Sequence, residues 1–249
     1  IGVVSGKGGV GKSATVVNMA FALARDGAAV GILDADIYGP SIPRMTGLSG
    51  KPRMVDGKSC VPHEKEGVDV MSVGFLVGED VPMMRRGERL SKALMQLLHE
   101  TEWANLDYLL IDMPSTIGDV ALTAIESIPM NGVAIVTTPQ EIALQDVRRT
   151  IRMHQTANIP VLGIIENFSV YICPHCGTHD YVFGDGGARQ LAEKYGVSLI
   201  GSLPLDIRIR KLLDSGQPPI LEMPEDHVGR AYQETARNLA AMLSRVPAY

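Results

Sequence analysis

The chain has 249 residues, 45% of them hydrophobic and 20% charged, a balance that suits a globular protein with one sizeable core and excludes a disordered polymer. Its formal charge is −5 and it holds no block of Lys or Arg, which argues against nucleic acid as the main partner. No apolar run approaches the ~20 residues of a membrane span, and its three cysteines, two close together and one remote, exclude a disulfide framework and point to a reducing compartment, hence the cytoplasm.

A first predicted strand, Ile1–Ser5, opens the chain, so we expect no signal peptide and the loss of a few native residues including the initiator Met. It leads into Gly6-Lys7-Gly8-Gly9-Val10-Gly11-Lys12-Ser13, which fits the phosphate-loop pattern G-x-x-x-x-G-K-[ST], and a helical run, Lys12–Arg25, follows. In that context the glycines let backbone N–H groups turn toward one anion, and the helix adds its positive N-terminal end. Lys12 is placed to reach the β- and γ-phosphates, and the Ser13 hydroxyl to ligate Mg²⁺. The same glycines also read Gly6-x-Gly8-x-x-Gly11, a dinucleotide fingerprint with Asp34 about twenty positions on. Lys12 and Ser13 favour the triphosphate, because a Rossmann turn has no use for either. Lys7 stands where the generic motif asks for nothing.

The second strand, Ala29–Leu33, ends in Asp34-Ala35-Asp36, two carboxylates spaced to point the same way. Beside a phosphate loop, one suits Mg²⁺ through water and the other an attacking water; alone, the pair would read as a turn cap. Pro40 to Pro62 is a long excursion before the strand Val68–Val73, and the helix Glu88–Glu100 follows. The strand Tyr108–Ile111 delivers Asp112 to the sheet edge, the Walker B pattern for Mg²⁺. A helix over Asp119–Ser127, a strand over Val133–Thr137, a helix over Ala143–Gln155 and a strand over Val161–Ile165 continue the alternation. Asn167, after that last strand, suits the adenine edge with paired donor and acceptor, and Pro204 follows the strand Leu199–Gly201; both also fit as ordinary loop residues. Helices are expected at Gly187–Tyr195, Ile207–Asp214 and Val228–Ser244. Such alternation predicts an α/β fold over residues 1–249 as one domain: a mostly parallel sheet with helices on both faces, in three layers, its ligands at the carboxyl ends of the strands.

Cys173-Pro174-His175-Cys176 sits in an insertion at about 171–187 that reads as a loop. Two thiolates at this spacing chelate one metal, but a closed tetrahedral site needs four ligands. Cys60 is remote, and His175 and His179 are candidates within the chain. The simplest completion is a second copy, giving four cysteines across a two-fold axis. A redox pair and an unmetallated turn are the competing readings.

With these residues in view, the chain resembles a known family. Gly6–Ser13 with Lys7 is similar to the deviant Walker A of the MinD, nitrogenase iron protein and arsenical-pump ATPases. Asp34 through Ser41, Gly118 through Thr123, Thr138-Pro139-Gln140, Gly163 through Asn167, Cys173 through Gly177 and Pro204-Leu205-Asp206 narrow the resemblance to the Mrp/ApbC iron–sulfur cluster carriers, over nearly the whole chain. The resemblance implies a P-loop ATPase that is a homodimer with one ATP per subunit. It makes Lys7 a residue reaching the partner's phosphates, Lys12 the phosphate-loop lysine, Asp36 the switch aspartate that positions water, and Asp34 its neighbour near Mg²⁺. It further implies a 4Fe–4S cluster bridged by Cys173 and Cys176 of two subunits and handed to apo iron–sulfur proteins, with zinc able to take its place. The chain departs from the family at Pro114-Ser115-Thr116-Ile117-Gly118-Asp119, usually Pro-Pro-Gly-Thr-Gly-Asp, and at Arg85-Arg86-Gly87-Glu88, usually Trp-Arg-Gly-Pro. Thr116 stiffens the backbone and Ile117 lacks a hydroxyl, so the expectation is slow hydrolysis. The alternative from another class is a positioning ATPase of the MinD/ParA kind with no cluster and a membrane-binding C-terminal helix. The end Leu239–Tyr249 is apolar on one face but not basic, so packing on the sheet is expected and membrane binding is not.

Overall fold

Continuous apolar runs of four to six residues become strands buried on both faces, as parallel sheets require. The computed structural model describes residues 1–37, 39–55, 57–76, 87–115, 124–125 and 127–247, with residues 87–93 described for their backbone alone. Its strands are β1 (Gly2–Ser5), β2 (Val30–Asp34), β3 (Arg53–Val55), β4 (Ser59–Val61), β5 (His63–Lys65), β6 (Val68–Ser72), β7 (Tyr108–Asp112), β8 (Val133–Thr137), β9 (Val161–Glu166), β10 (Tyr171–Ile172), β11 (His179–Asp180) and β12 (Leu199–Ser202). Eight of them form the central sheet in the order β12-β9-β8-β1-β7-β2-β6-β5, all parallel except β5, which runs antiparallel to β6. Every residue of β1, β2 and β8 is buried.

The helices are α1 (Lys12–Arg25), α2 (Ile42–Thr46), α3 (Gly87–Glu100), α4 (Glu141–Thr156), α5 (Gly187–Tyr195), α6 (Ile207–Asp214), α7 (Pro219–Glu222) and α8 (His227–Leu243). From β1 to β2 the chain moves across the sheet one way, and from β8 to β9 it moves the other. Right-handed crossovers therefore put α1 and α4 on opposite faces, which makes the three layers. Helix α1 is buried almost all round, from Thr15 to Leu23, because α8 lies over it: Gln233 Nε2 donates to the Ala22 carbonyl at 2.9 Å and the Arg237 guanidinium pairs with Asp26 at 2.7 Å. Asn18, buried within α1, accepts from the Ile220 amide at 3.0 Å and so ties α7 to the same layer.

The expected strands and helices form within a residue or two of their bounds wherever they are described. Most of the expected helix Asp119–Ser127 lies outside the described residues, as do Thr116, Ile117, Gly118, Asp119, Arg85 and Arg86. One expectation needs correction: the insertion at 171–187 is not purely loop but carries the β10–β11 ribbon, whose two-residue strands are too short to show a period. The excursion from Pro40 to Pro62 contains α2 and the β3–β4 hairpin.

Lys65, at the end of β5, donates to the carbonyls of Thr46 and Gly216, each at 2.7 Å, and so joins the C-terminal ends of α2 and α6. Among the described residues no helix is long and apolar enough to cross a membrane.

Candidate functional site

Parallel pairing aligns the strand ends, and the polar motifs follow from that register. Asp34 of β2 is the direct cross-strand partner of Asp112 of β7, and Val3 of β1 pairs with Asp112 from the other side. The loop after β1 consequently opens beside both carboxylates. Gly11 ends this loop at φ 84, a left-handed conformation that favours glycine, and a Cβ there would collide with Asn167 Nδ2. Lys7, Gly8 and Gly9 are exposed, while Lys12 is buried.

Lys12 Nζ hydrogen-bonds Asp112 Oδ1 and lies 3.5 Å from Asp36 Oδ2. Ser13 Oγ donates to Asp112 Oδ2 at 2.5 Å, and Ser115 Oγ donates to Asp36 Oδ2 at 2.6 Å. Asp34 is wholly buried and faces inward. Its Oδ1 accepts from the Asp36 amide at 3.2 Å; its Oδ2 accepts from the Ile42 amide at 3.3 Å and from Ser72 Oγ at 2.9 Å. Burial, and then the charge of Asp112, push the Asp34 pKa up to about 8. Burial likewise raises that of Asp112, against the pull of Lys12. Two carboxylates, Asp112 and Asp36, thus flank one ammonium, and Asp34 lies behind them. Ser13 and Asp112 present hard oxygens next to the phosphate loop, the donor set a Mg²⁺ ion takes.

Sequence reasoning pointed to Asp34 as a residue near Mg²⁺; the structure engages both its oxygens with the loop from Asp36 to Ile42 and with β6. It also missed Ser72, which completes that set. A serine at a strand end carries no signal of its own.

Beside Gly11 lies a cavity of about 580 Å³ with walls that include Ala14, Phe168, Tyr171, Leu205, Ile209 and Leu213. It is the size and character of a pocket for a flat heterocycle. Asn167 reaches it, but its Nδ2 is committed to the Val10 carbonyl at 2.9 Å, so this side chain braces the phosphate loop. Pro204 is buried and does not line the cavity; Leu205 and Asp206, the next two residues, do. Further liners come from α6, such as Ile209 and Leu213, and from α1, α2 and α8 (Ala14, Met45 and Tyr232), at spacings that sequence reads as ordinary helix core.

The two cysteines of the pair hang on the β10–β11 ribbon. The turn is closed by Cys173 N–H to the Thr178 carbonyl and Gly177 N–H to the Cys173 carbonyl, both at 2.9 Å. Cys176 is exposed, and the hydrogen bond with the Thr178 hydroxyl at 3.2 Å holds its thiol below the usual range. Cys60 is buried beside Thr101 in the core and lies apart from the pair. Among the described residues no three His, Cys, Asp or Glu side chains converge, so His175 and His179 do not complete a site within the chain.

Known proteins resemble this chain in sequence and in fold. The profile of the ParA family described as NUBPL iron-transfer P-loop NTPase matches residues 1–240. An iron–sulfur cluster carrier protein of Escherichia coli K12 is 51% identical over 244 residues, covering 98% of this chain and 66% of that protein. The chain therefore spans about two thirds of that relative's length. A nucleotide-binding protein of Archaeoglobus fulgidus, solved in complex with ADP, is 36% identical and superposes with a TM-score of 0.79 over 100% of this chain and 91% of the other. The cell-division ATPase MinD of Pyrococcus furiosus, 21% identical with a TM-score of 0.73 over 97% of this chain and 98% of its own, shares the fold.

Proposed function

Because this chain belongs to the ParA family of NUBPL-type iron-transfer P-loop NTPases, we propose that it is an ATP-binding carrier that holds an iron–sulfur cluster between two copies of itself and passes it to apo-proteins. One observation carries the reading. A complete phosphate loop and a thiol pair, Cys176 exposed and Cys173 half-buried, share one chain, and among the described residues the thiols have no further ligand nearby. Two cysteines per chain supply half of a four-thiolate set, so a homodimer completes it. The cargo is a 4Fe–4S cluster, for which zinc is the substitute after aerobic isolation.

On the nucleotide side, Gly6 through Ser13 cradle the phosphates, and the base enters the cavity walled by Phe168 and Tyr171. Lys12 leaves Asp112 to meet the β- and γ-phosphates. Lys7, exposed here, reaches the phosphates of the partner subunit. Ser13 and Asp112 would hold Mg²⁺, which would supply neutralising charge to the phosphate oxygens. Asp36, held by Ser115 and set beside Lys12, orients the attacking water. Asp34 shapes the loop that carries Asp36 and stands near Mg²⁺, beside Asp112. Hydrolysis is slow, because Thr116 and Ile117 replace the flexible Gly-Thr of the family; restoring both residues should raise the ATPase rate. We place the carrier in the cytoplasm, without nucleic acid or membrane partners.

The test is anaerobic reconstitution with iron and sulfide. Brown protein carrying one cluster per dimer is expected, together with loss of the cluster in both Cys173→Ala and Cys176→Ala. A colourless wild-type protein that still binds ADP would overturn the carrier reading in favour of a positioning ATPase.

A further inference from the structure

The base cavity and the cysteine ribbon share residues. Tyr171 is the first residue of β10, two positions before Cys173, and it also lines the cavity. It forms a parallel bridge with Leu205, another liner, and the Leu205 amide donates to the Val170 carbonyl at 2.8 Å. The other root of the ribbon, the segment after β11, carries Phe183, whose ring centroid lies 5.9 Å from that of Phe168. Phe168 in turn lines the cavity. It is held at φ 57, a conformation that a bulky residue adopts only when its surroundings impose it. Those surroundings are the Asn167 amide bonded to the Thr137 carbonyl at 2.7 Å and the Ser169 amide bonded to the Leu203 carbonyl at 3.0 Å. Both ends of the ribbon therefore rest on the cavity wall. Among the described residues, the phosphate-side groups Asp36 and Ser115 make no hydrogen bond to the ribbon.

We propose that Phe168 and Tyr171 are positioning residues through which a base in the cavity orders the Cys173–Cys176 turn, so that the cargo thiols sense the nucleoside and not the γ-phosphate. This rests on the carrier reading for its purpose but not for its measurement. A flat ring between Phe168 and Tyr171 removes their freedom to shift, and the ribbon anchored to them loses the same freedom. ADP and ATP then act alike on the turn, while a phosphate chain without a base does nothing to it.

Hydrogen–deuterium exchange on the full chain, free of cluster, tests this at the Cys173 and Gly177 amides, with binding of each ligand followed by calorimetry in parallel. Saturating ADP and ATP should slow exchange there by the same factor, about fivefold or more, and saturating tripolyphosphate should leave it unchanged. Phe183→Ala, which lies outside the cavity lining, should bind ADP as the wild type does and lose most of the protection. Equal protection by tripolyphosphate, or ADP binding with no protection, would overturn the inference and leave the carrier reading intact. Full protection in Phe183→Ala would remove Phe168–Phe183 as the route and overturn it equally. Failure of ADP to bind at all would overturn both.

Discussion

Replacing Asp34 by Asn isolates the electrostatic cost of the buried carboxylate pair. In the folded chain Asp34 is fully buried opposite Asp112, and its pKa rises from 3.8 to about 8. The unfolded chain releases that proton near pH 4, whereas the folded chain keeps it until about pH 8. Between those values the folded state binds one more proton, so stability from this group is fully present at low pH and falls as pH rises. The slope is about −1.4 kcal/mol per pH unit, or roughly 3 kcal/mol between pH 5 and pH 7. Asp112 is shifted in the same direction. Buried His154 is shifted down and opposes them at its own titration, but it is present in either chain and cancels in the comparison. Asp112, by contrast, interacts directly with Asp34, so the difference in slope reports the proton that the pair retains. Absolute stability decides less, because an amide N–H₂ placed against the Ile42 or Asp36 amide costs about 1–3 kcal/mol. Urea unfolding of nucleotide-free protein, followed by far-UV circular dichroism at pH 5, 6, 7 and 8 and constant ionic strength, measures the slopes. D34N should be flatter than wild type by about 1.4 kcal/mol per unit. Equal slopes would refute the assignment of a retained proton to Asp34.

Two further substitutions address the phosphate loop. Gly11→Ala puts a Cβ at φ 84 against the Asn167 amide, and ADP affinity measured by calorimetry should fall at least ~100-fold with the far-UV spectrum retained. Asn167→Ala removes the brace on the Val10 carbonyl, worth about 1–2 kcal/mol, and should weaken ADP and tripolyphosphate alike by about tenfold. A loss confined to ADP would mean that Asn167 reads the base and does not support the loop.

Much of this site was legible in the sequence because its parts are local. Gly6 through Ser13 is a contiguous cradle, and β2 and β7 announce themselves as apolar runs ending in Asp34 and Asp112. What escaped is the product of register and packing. That Asp34 lies opposite Asp112, with its oxygens bonded to the loop after β2 and to β6, depends on which strands pair, since β7 inserts between β1 and β2 from far along the chain. The orientation of Asn167 is set by the Val10 carbonyl, 157 positions away. The step from Pro204 to Leu205 and Asp206 reflects where β12 stops, and a boundary is the least certain part of any element read from sequence. Phe168 gave no sign at all, because a phenylalanine in the left-handed region violates its own preference.

The sheet ends, on the β6 side, in three residues: His63, Glu64 and Lys65 of β5. A strand this short, reversed against its neighbour and polar along its length, is a poor template for another strand, and Lys65 is drawn inward onto two carbonyls instead of lining that margin. A layer of Val, Ile and Leu strands this apolar would otherwise invite open-ended stacking of chain upon chain. On this border the molecule is hemmed against aggregation, and one margin of the sheet is closed to the open-ended pairing of copies.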